Sequence, residues 1–174
     1  MTRIGLISDT HGYMGQDVLD HLKEVDEIWH GGDIGPRSVI DSLETLGKPI
    51  RAVYGNIDDS KIRSEFPLNL FFTVDGLKVF ITHIGGYPGR LYKRVDAILK
   101  EQKPGLYICG HSHICKVMPD AKHNLLHMNP GACGHYGFHK FRTILLFEID
   151  KGKMSNVRVV ELGNRGQLKE PIVK

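Results

Sequence analysis

Apolar and polar residues follow one another along this chain in two rhythms, and the change of rhythm marks its elements. Residues 3–8 (RIGLIS) are a short, nearly continuous apolar run, the pattern of a strand covered on both faces. Between residues 15 and 25, Val18, Leu19, Leu22 and Val25 recur at helical spacing. Residues 27–30 (EIWH) read as a second strand that ends at Gly31-Gly32-Asp33. Pro36 opens a second helix at a favourable first-turn position, Val39, Ile40, Leu43 and Leu46 form its buried stripe, and Gly47 closes it. Residues 49–54 are a third strand, ending at Gly55-Asn56-Ile57-Asp58. The order β-α-β-α-β predicts parallel strands joined by right-handed crossovers.

Beyond this point the rhythm shortens. Residues 59–67 read as polar loop. Residues 68–74 and 77–82 form a hairpin about Asp75-Gly76. A glycine-rich loop follows His83, and residues 91–102 form a third helix with Leu91, Val95, Ile98 and Leu99 on one face. Residues 106–109 are a strand leading to Gly110-His111-Ser112-His113. Only strands are predicted after that, near 114–118, 125–129, 143–149 and 157–162, with Asn129-Pro130-Gly131 as a turn. Residues 163–174 are a polar, loosely held tail. No repeat or linker interrupts the pattern, so residues 1–174 are read as a single α/β domain of two packed sheets with helices outside.

Every glycine-punctuated strand end in this scheme falls on one rim, and open α/β sheets bind ligands at the carboxyl ends of their strands. Asp9, His11, Asp33, Asn56, His83, His111 and His113 occupy those ends. Taken singly, each has an ordinary reading as a cap, a turn residue or a core histidine. Together they are seven metal-competent side chains on one edge. Imidazole with carboxylate and amide oxygen favours Mn, Fe, Zn or Co over Ca or Mg, and the absence of thiolates argues against a structural zinc site. Seven ligands exceed the needs of one tetrahedral ion and suit two ions about 3.5–4 Å apart.

Composition adds three points. Ten histidines are about twice what ordinary usage supplies. The balance of 23 basic to 20 acidic residues, a net charge of +3, is too even for a strong nucleic-acid phosphate track, so no specific nucleic acid is expected. Cys109, Cys115 and Cys133 contain no CxxC pair and are read as reduced thiols. No apolar run reaches membrane-spanning or signal-peptide length, so a cytoplasmic protein without a membrane partner is expected.

Asp9-x-His11, Gly32-Asp33, Gly55-Asn56-x-Asp58, His83 and Gly110-His111-x-His113, in this order, resemble the calcineurin-like metallophosphoesterase superfamily. The chain's size and its Asn129-Pro130-Gly131 are most similar to the small bacterial and archaeal phosphodiesterase branch. The resemblance implies a four-layer α/β/β/α sandwich. It implies that Asp9, His11, Asp33 and His113 hold one ion and that Asp33, Asn56, His83 and His111 hold the other. Two divalent transition-metal ions are implied, Mn²⁺ first, with Fe²⁺, Zn²⁺, Co²⁺ or Ni²⁺ as the other choices. The implied activity is hydrolysis of a small phosphate ester, as a phosphodiesterase ahead of a phosphomonoesterase, by in-line attack of a metal-bridging hydroxide. Asn56, Asp58 and His83 are the residues expected to act in catalysis.

Two departures stand out. Many members carry histidine where this chain has Ile57, which cannot protonate a leaving group. Asp58 then becomes an orienting group, and His135 and His139 become substitute donors to test. Ile84 also intervenes between His83 and Gly85-Gly86. Arg90 and Arg142 are candidates to clamp a second phosphate, and Leu70, Phe71 and Phe72 are candidates for a homodimer contact, though the run reads more simply as a strand. The alternative to an enzyme is a non-catalytic scaffold, since the same fold resembles the retromer subunit Vps29.

Overall fold

The computed structural model describes residues 1–166. Strands β1 (Thr2–Ile7), β2 (Glu27–His30) and β3 (Ile50–Ala52) alternate with helices α1 (Gln16–Leu22) and α2 (Ser38–Glu44). Helix α3 (Ser60–Glu65) leads to the hairpin β4 (Asn69–Val74) and β5 (Leu77–Thr82). Helix α4 (Lys93–Gln102) connects to β6 (Leu106–Ile108), and β7 (Cys115–Asp120), β8 (Leu125–Pro130), β9 (Phe141–Asp150) and β10 (Lys153–Asn164) complete the described chain.

The strands form two mixed sheets. The first has the order β10-β9-β1-β2-β3, with β1, β2 and β3 parallel and β9 antiparallel to β1. The second has the order β4-β5-β6-β8-β7, with β5, β6 and β8 parallel and the hairpin partners β4 and β7 antiparallel at its edges. Because side chains alternate along a strand, β1 sends Ile4 and Leu6 into the space between the sheets. There they meet Trp29, Ile81, Ile108, Met128 and Phe147. Its other face sends Ile7 toward Val18 and Leu22 of α1, and Val39, Ile40 and Leu43 of α2 join the same cluster. Gly5 permits that close docking, since a Cβ there would lie 2.5 Å from Leu22 Cδ2. On the far side, α4 lays Val95 and Leu99 against Phe80 and Tyr107. The expected α/β/β/α layering is therefore the observed one.

Two segments differ from the sequence-based expectation. Residues 59–67 are not simply polar loop: they contain α3, nucleated by the Asp59 carboxylate accepting the Ile62 N–H at 3.0 Å and anchored by buried Ile62. A single apolar residue cannot display a helical period, which is why the pattern concealed it. Strand β10 begins at Lys153 and ends at Asn164, taking in the first two residues of the expected tail. It is an edge strand, mostly exposed, with register shifts that interrupt its alternation. The rest of that tail, from residue 167, lies outside the described residues. In β4, Leu70 and Phe72 pack on the inter-sheet core, while Phe71 stacks on Phe80 at the outer face. Among the described residues, no helix is long and apolar enough to cross a membrane.

The inter-sheet core carries the packing that holds the two loop sets together. Leu6→Ala, at a site with no exposure, should lower unfolding free energy by about 2–5 kcal/mol in urea titration. A loss under about 1 kcal/mol would contradict a close-packed contact between the sheets.

Candidate metal centre

The carboxyl ends of the parallel strands in both sheets open on the same rim. The Asp9 amide donates to the Gly32 carbonyl at 2.9 Å, and the His11 amide donates to the Asp33 carbonyl at 3.0 Å, so the loops after β1 and β2 run side by side. The Gly110 amide donates to the His83 carbonyl at 3.0 Å, which does the same for β5 and β6. Side chains from the two sheets then meet. Ligand atoms of Asp9, His11, Asp33 and His113 all lie within 4.8 Å of one another, as do those of Asp33, His83 and His111, and Asp33 belongs to both groups. Asn56 Oδ1 sits 3.0 Å from His111 Nδ1. The seven side chains are thus brought to one place.

The backbone is bent to achieve this. Asp9, His11, Asp33, His111 and His113 all have φ between 44° and 69°. Such left-handed conformations are uncommon for residues other than glycine and cost on the order of 1 kcal/mol or more each. Five of the seven cluster members share it, turning their side chains inward from tight turns.

Polar atoms at the centre lack partners. Asp9 Oδ1, His11 Nε2 and His83 Nε2 are buried without a hydrogen bond, a state that ordinarily costs about 1–3 kcal/mol per group. The second atoms of Asp9 and His83 are committed. Asp9 Oδ2 accepts from Ser8 Oγ at 2.6 Å and from the His111 amide at 3.2 Å. His83 Nδ1 donates to the Gly31 carbonyl at 2.8 Å, so the lone pair of its Nε2 faces Asp33 Oδ2 at 3.2 Å. His139 Nε2 donates to the Gly134 carbonyl at 3.0 Å. Its Nδ1 must then accept from His113 Nδ1, 3.2 Å away, and His113 Nε2 is left facing Asp9 Oδ1 at 3.0 Å. Acceptor faces acceptor, which calls for a positive charge between them.

Charge in the site points the same way. Burial would push the Asp33 carboxyl up, yet the imidazoles of His11 and His83 facing it at 3.4 and 3.2 Å outweigh burial and hold it well below the usual carboxylate range. Burial opposes protonation of His83, but the close approach of Asp33 and the charges of Asp9 and Asp33 raise it above its ordinary value. Burial and the neighbouring His83 lower His111. Two buried carboxylates are drawing positive charge onto an imidazole, and a divalent ion fits the same demand with the same donor atoms.

Residues 2–152 match the calcineurin-like phosphoesterase superfamily domain. This chain belongs to that superfamily. A probable metallophosphoesterase of Methanocaldococcus jannaschii is 31% identical over 135 residues, covering 74% of this chain and 67% of that protein. One from Methanothermobacter thermautotrophicus is 30% identical over 115 residues, covering 63% and 66%. The chain thus spans about two thirds of the length of these relatives. Among solved structures, an archaeal phosphodiesterase superposes with a TM-score of 0.72 at 26% identity, covering 91% of this chain and 99% of that one. Zinc-complexed Vps29 from Entamoeba histolytica superposes with a TM-score of 0.70 at 18% identity, covering 92% and 99%, a likeness of fold.

Around the cluster of this phosphoesterase-superfamily chain, several residues act as supports. Asp58 does not join the seven. Its two oxygens accept from the Gly35 amide at 2.8 Å and the Gly55 amide at 2.7 Å, tying the loops after β2 and β3 together. His30, fully buried, accepts from the Gly32 amide at 3.1 Å and donates to Thr10 Oγ1 at 3.0 Å. Burial pushes its pKa down to about 4, so it is a neutral brace behind the loops. Of the two histidines weighed as proton donors, His139 is engaged at both nitrogens, and His135 Nδ1 donates to the Arg165 carbonyl. Arg142 is buried in an ion pair with Asp17 at 2.8 Å and stacks on Tyr13, away from any phosphate role. Ser8 and His30 had no mark in the sequence beyond their place at strand ends.

A cleft of about 680 Å³ opens beside Asn56 and His83, with Arg63, Lys93 and Arg94 in its wall. Arg63 braces the floor by donating to the carbonyls of Asp58 and Asn56.

Gly55 tests the positioning of Asp33 directly, because a Cβ at this position would strike the Asp33 carboxylate and amide. Gly55→Ala should weaken Mn²⁺ binding by about 10–100-fold in calorimetric titration, with the far-ultraviolet circular dichroism unchanged. Undiminished affinity would remove Asp33 from the ligand set.

Proposed function

We propose that this chain is a dinuclear-metal-dependent phosphoesterase, acting as a phosphodiesterase on a small ester. The observation that carries the reading is Asp33, whose carboxylate belongs to both groups of convergent ligand atoms. Asp9, His11, Asp33 and His113 would hold one ion, and Asp33, Asn56, His83 and His111 the other. When bound, two such ions would supply Lewis acidity, acidifying water and offsetting charge on the phosphoryl oxygens. The mixture of imidazole, carboxylate and amide suits Mn²⁺ first, with Fe²⁺, Zn²⁺, Co²⁺ and Ni²⁺ as substitutes.

The protein's own groups do the positioning. The Gly31 carbonyl fixes the tautomer of His83, and His139 fixes that of His113. The Ile57 amide holds Asp33 Oδ1 at 3.1 Å. Lysine and arginine in the wall of the large cleft give an ester's free phosphoryl oxygen a cationic approach. At the rim, Ile57 is half exposed and carries no proton, so esters with acidic leaving groups, such as phenols, are the favoured substrates.

The scaffold reading draws on the likeness to Vps29. Against it stands the complete donor set: a pure interaction surface gains nothing from three buried acceptors that lack partners, or from left-handed backbone at five of the seven cluster residues. Elemental analysis without transition metal would favour the scaffold.

The purified protein with Mn²⁺ should hydrolyse bis(4-nitrophenyl) phosphate, and Asp33→Ala or Asn56→Ala should each reduce kcat/KM by more than about 100-fold. If Mn²⁺, Co²⁺ and Ni²⁺ all fail to support cleavage of mono- and diester model substrates, the enzyme reading falls.

A further inference from the structure

On the outer face of the second sheet, α4 covers only part of the surface. Strand alternation sends Leu125, His127 and Asn129 of β8 to that face, together with Tyr107 and Cys109 from β6 and the segment after it, and Lys116 of β7. Helix α4 packs over Leu125, Phe80 and Tyr107. Nearer the rim, the loop before α4 arches over instead and leaves a cleft of about 280 Å³ that reaches His111.

The lining of this cleft is unlike a packing fault. His127 has 1% exposure, lines the cleft, and neither of its ring nitrogens has a hydrogen-bond partner. The other polar group beside it is satisfied: Asn129 donates to the Gly110 carbonyl at 3.0 Å and accepts from the Gly131 amide at 2.9 Å. Burial pushes His127 down to about 4, so near neutrality its ring offers one donor and one acceptor. The walls are apolar and aromatic. Tyr87 is fixed in place by the Lys116 ammonium, 3.9 Å from its ring centroid. Ile114 and Tyr92, both in the lining, are more than half exposed, which is apolar surface awaiting cover.

We propose that this cleft is the subsite for an organic group of the phosphoester, and that it takes a single planar heterocycle with a hydrogen-bonding edge that pairs with one ring nitrogen of His127. The inference rests on the phosphoesterase reading of the adjoining metal centre, because it is His111 that joins the two sites. Volume sets the size: 280 Å³ lies just under the about 300–1,000 Å³ of sites for drug-sized ligands, which suits one ring system rather than an oligonucleotide or a peptide. Chemistry sets the class. A purely hydrocarbon ring would leave His127 without a hydrogen bond, whereas the edge of a pyrimidine carries both a donor and an acceptor and so can serve whichever nitrogen it meets. His127 is then a specificity-determining residue.

The test compares two chromogenic diesters, the 4-nitrophenyl ester of thymidine 5′-phosphate and bis(4-nitrophenyl) phosphate, using full-length Mn²⁺-loaded protein and its His127→Leu variant. KM for the thymidine ester should rise about tenfold in the variant, the worth of one lost hydrogen bond, while kcat/KM for the bis-aryl ester stays within about twofold. In parallel, thymidine is titrated into metal-free wild-type protein and the His127 ring resonances are followed by NMR; a saturable shift is expected. An unmoved His127 ring, or an unchanged KM in a folded variant, would overturn the proposal. If neither ester is cleaved, the phosphoesterase reading fails by itself, and the metal-free titration still decides for or against the cleft. That titration also decides if the variant does not fold.

Discussion

Two carboxylates are buried at the ends of neighbouring parallel strands, and this charge is the constraint on which the rim is built. Asp9 has no exposure and Asp33 has 2%. Uncompensated burial of an ionised carboxylate costs several kcal/mol, a large share of the 5–15 kcal/mol that holds a typical domain together. The protein meets part of the demand with hydrogen bonds from Ser8, the His111 amide and the Ile57 amide. The inward oxygens face only imidazole rings, drawn from β5 and the segment after β6 as well as from the loop after β1. Charge on the first sheet is therefore answered by side chains of the second. The strained backbone at five of these residues is tolerable because the hydrophobic contact between the sheets carries the fold independently.

Much of this was legible in the sequence, and the reasons are specific. Residues 3–8 are a nearly continuous apolar run because the strand they form is covered on both faces. Its end announces itself as a change from apolar to glycine, aspartate and histidine. The members of the convergent cluster were legible because metal chemistry restricts the residue types that could serve there. Orientation was not. Nothing in Gly55-Asn56-Ile57-Asp58 tells that Asn56 faces His111 while Asp58 turns back to the amides of Gly35 and Gly55. His139 stands 26 residues from His113 in a loop without period, so its contact could be found only in three dimensions. His127 lay in plain view as one alternate position of a strand, with no sign that the helix above would stop short of it.

The superfamily likeness and the likeness to Vps29 draw on different parts of the molecule. The layered sheets and their core are shared with both neighbours, and they say nothing about activity. What argues for chemistry is instead the state of a few atoms at the rim. A scaffold that had given up metal chemistry could relieve buried acceptors with a single apolar substitution and relax the left-handed turns. Here neither relief has been taken: Asp9 Oδ1, His11 Nε2 and His83 Nε2 still converge without partners.

The same reasoning joins the metal centre to the fold's stability. The ligand atoms come from both sheets, so any ion bound among them ties the sheets together at the one rim where loops, not packed side chains, meet. Such binding favours the native arrangement over the unfolded chain, where the donors are scattered from residue 9 to residue 113. Residues that fix tautomers at a distance, such as Gly31 through its carbonyl and His139 through its ring, belong to this tie as much as the ligands do. Each keeps an acceptor lone pair directed inward against the repulsion of the carboxylates. The rim is therefore arranged to favour positive charge in advance of any substrate.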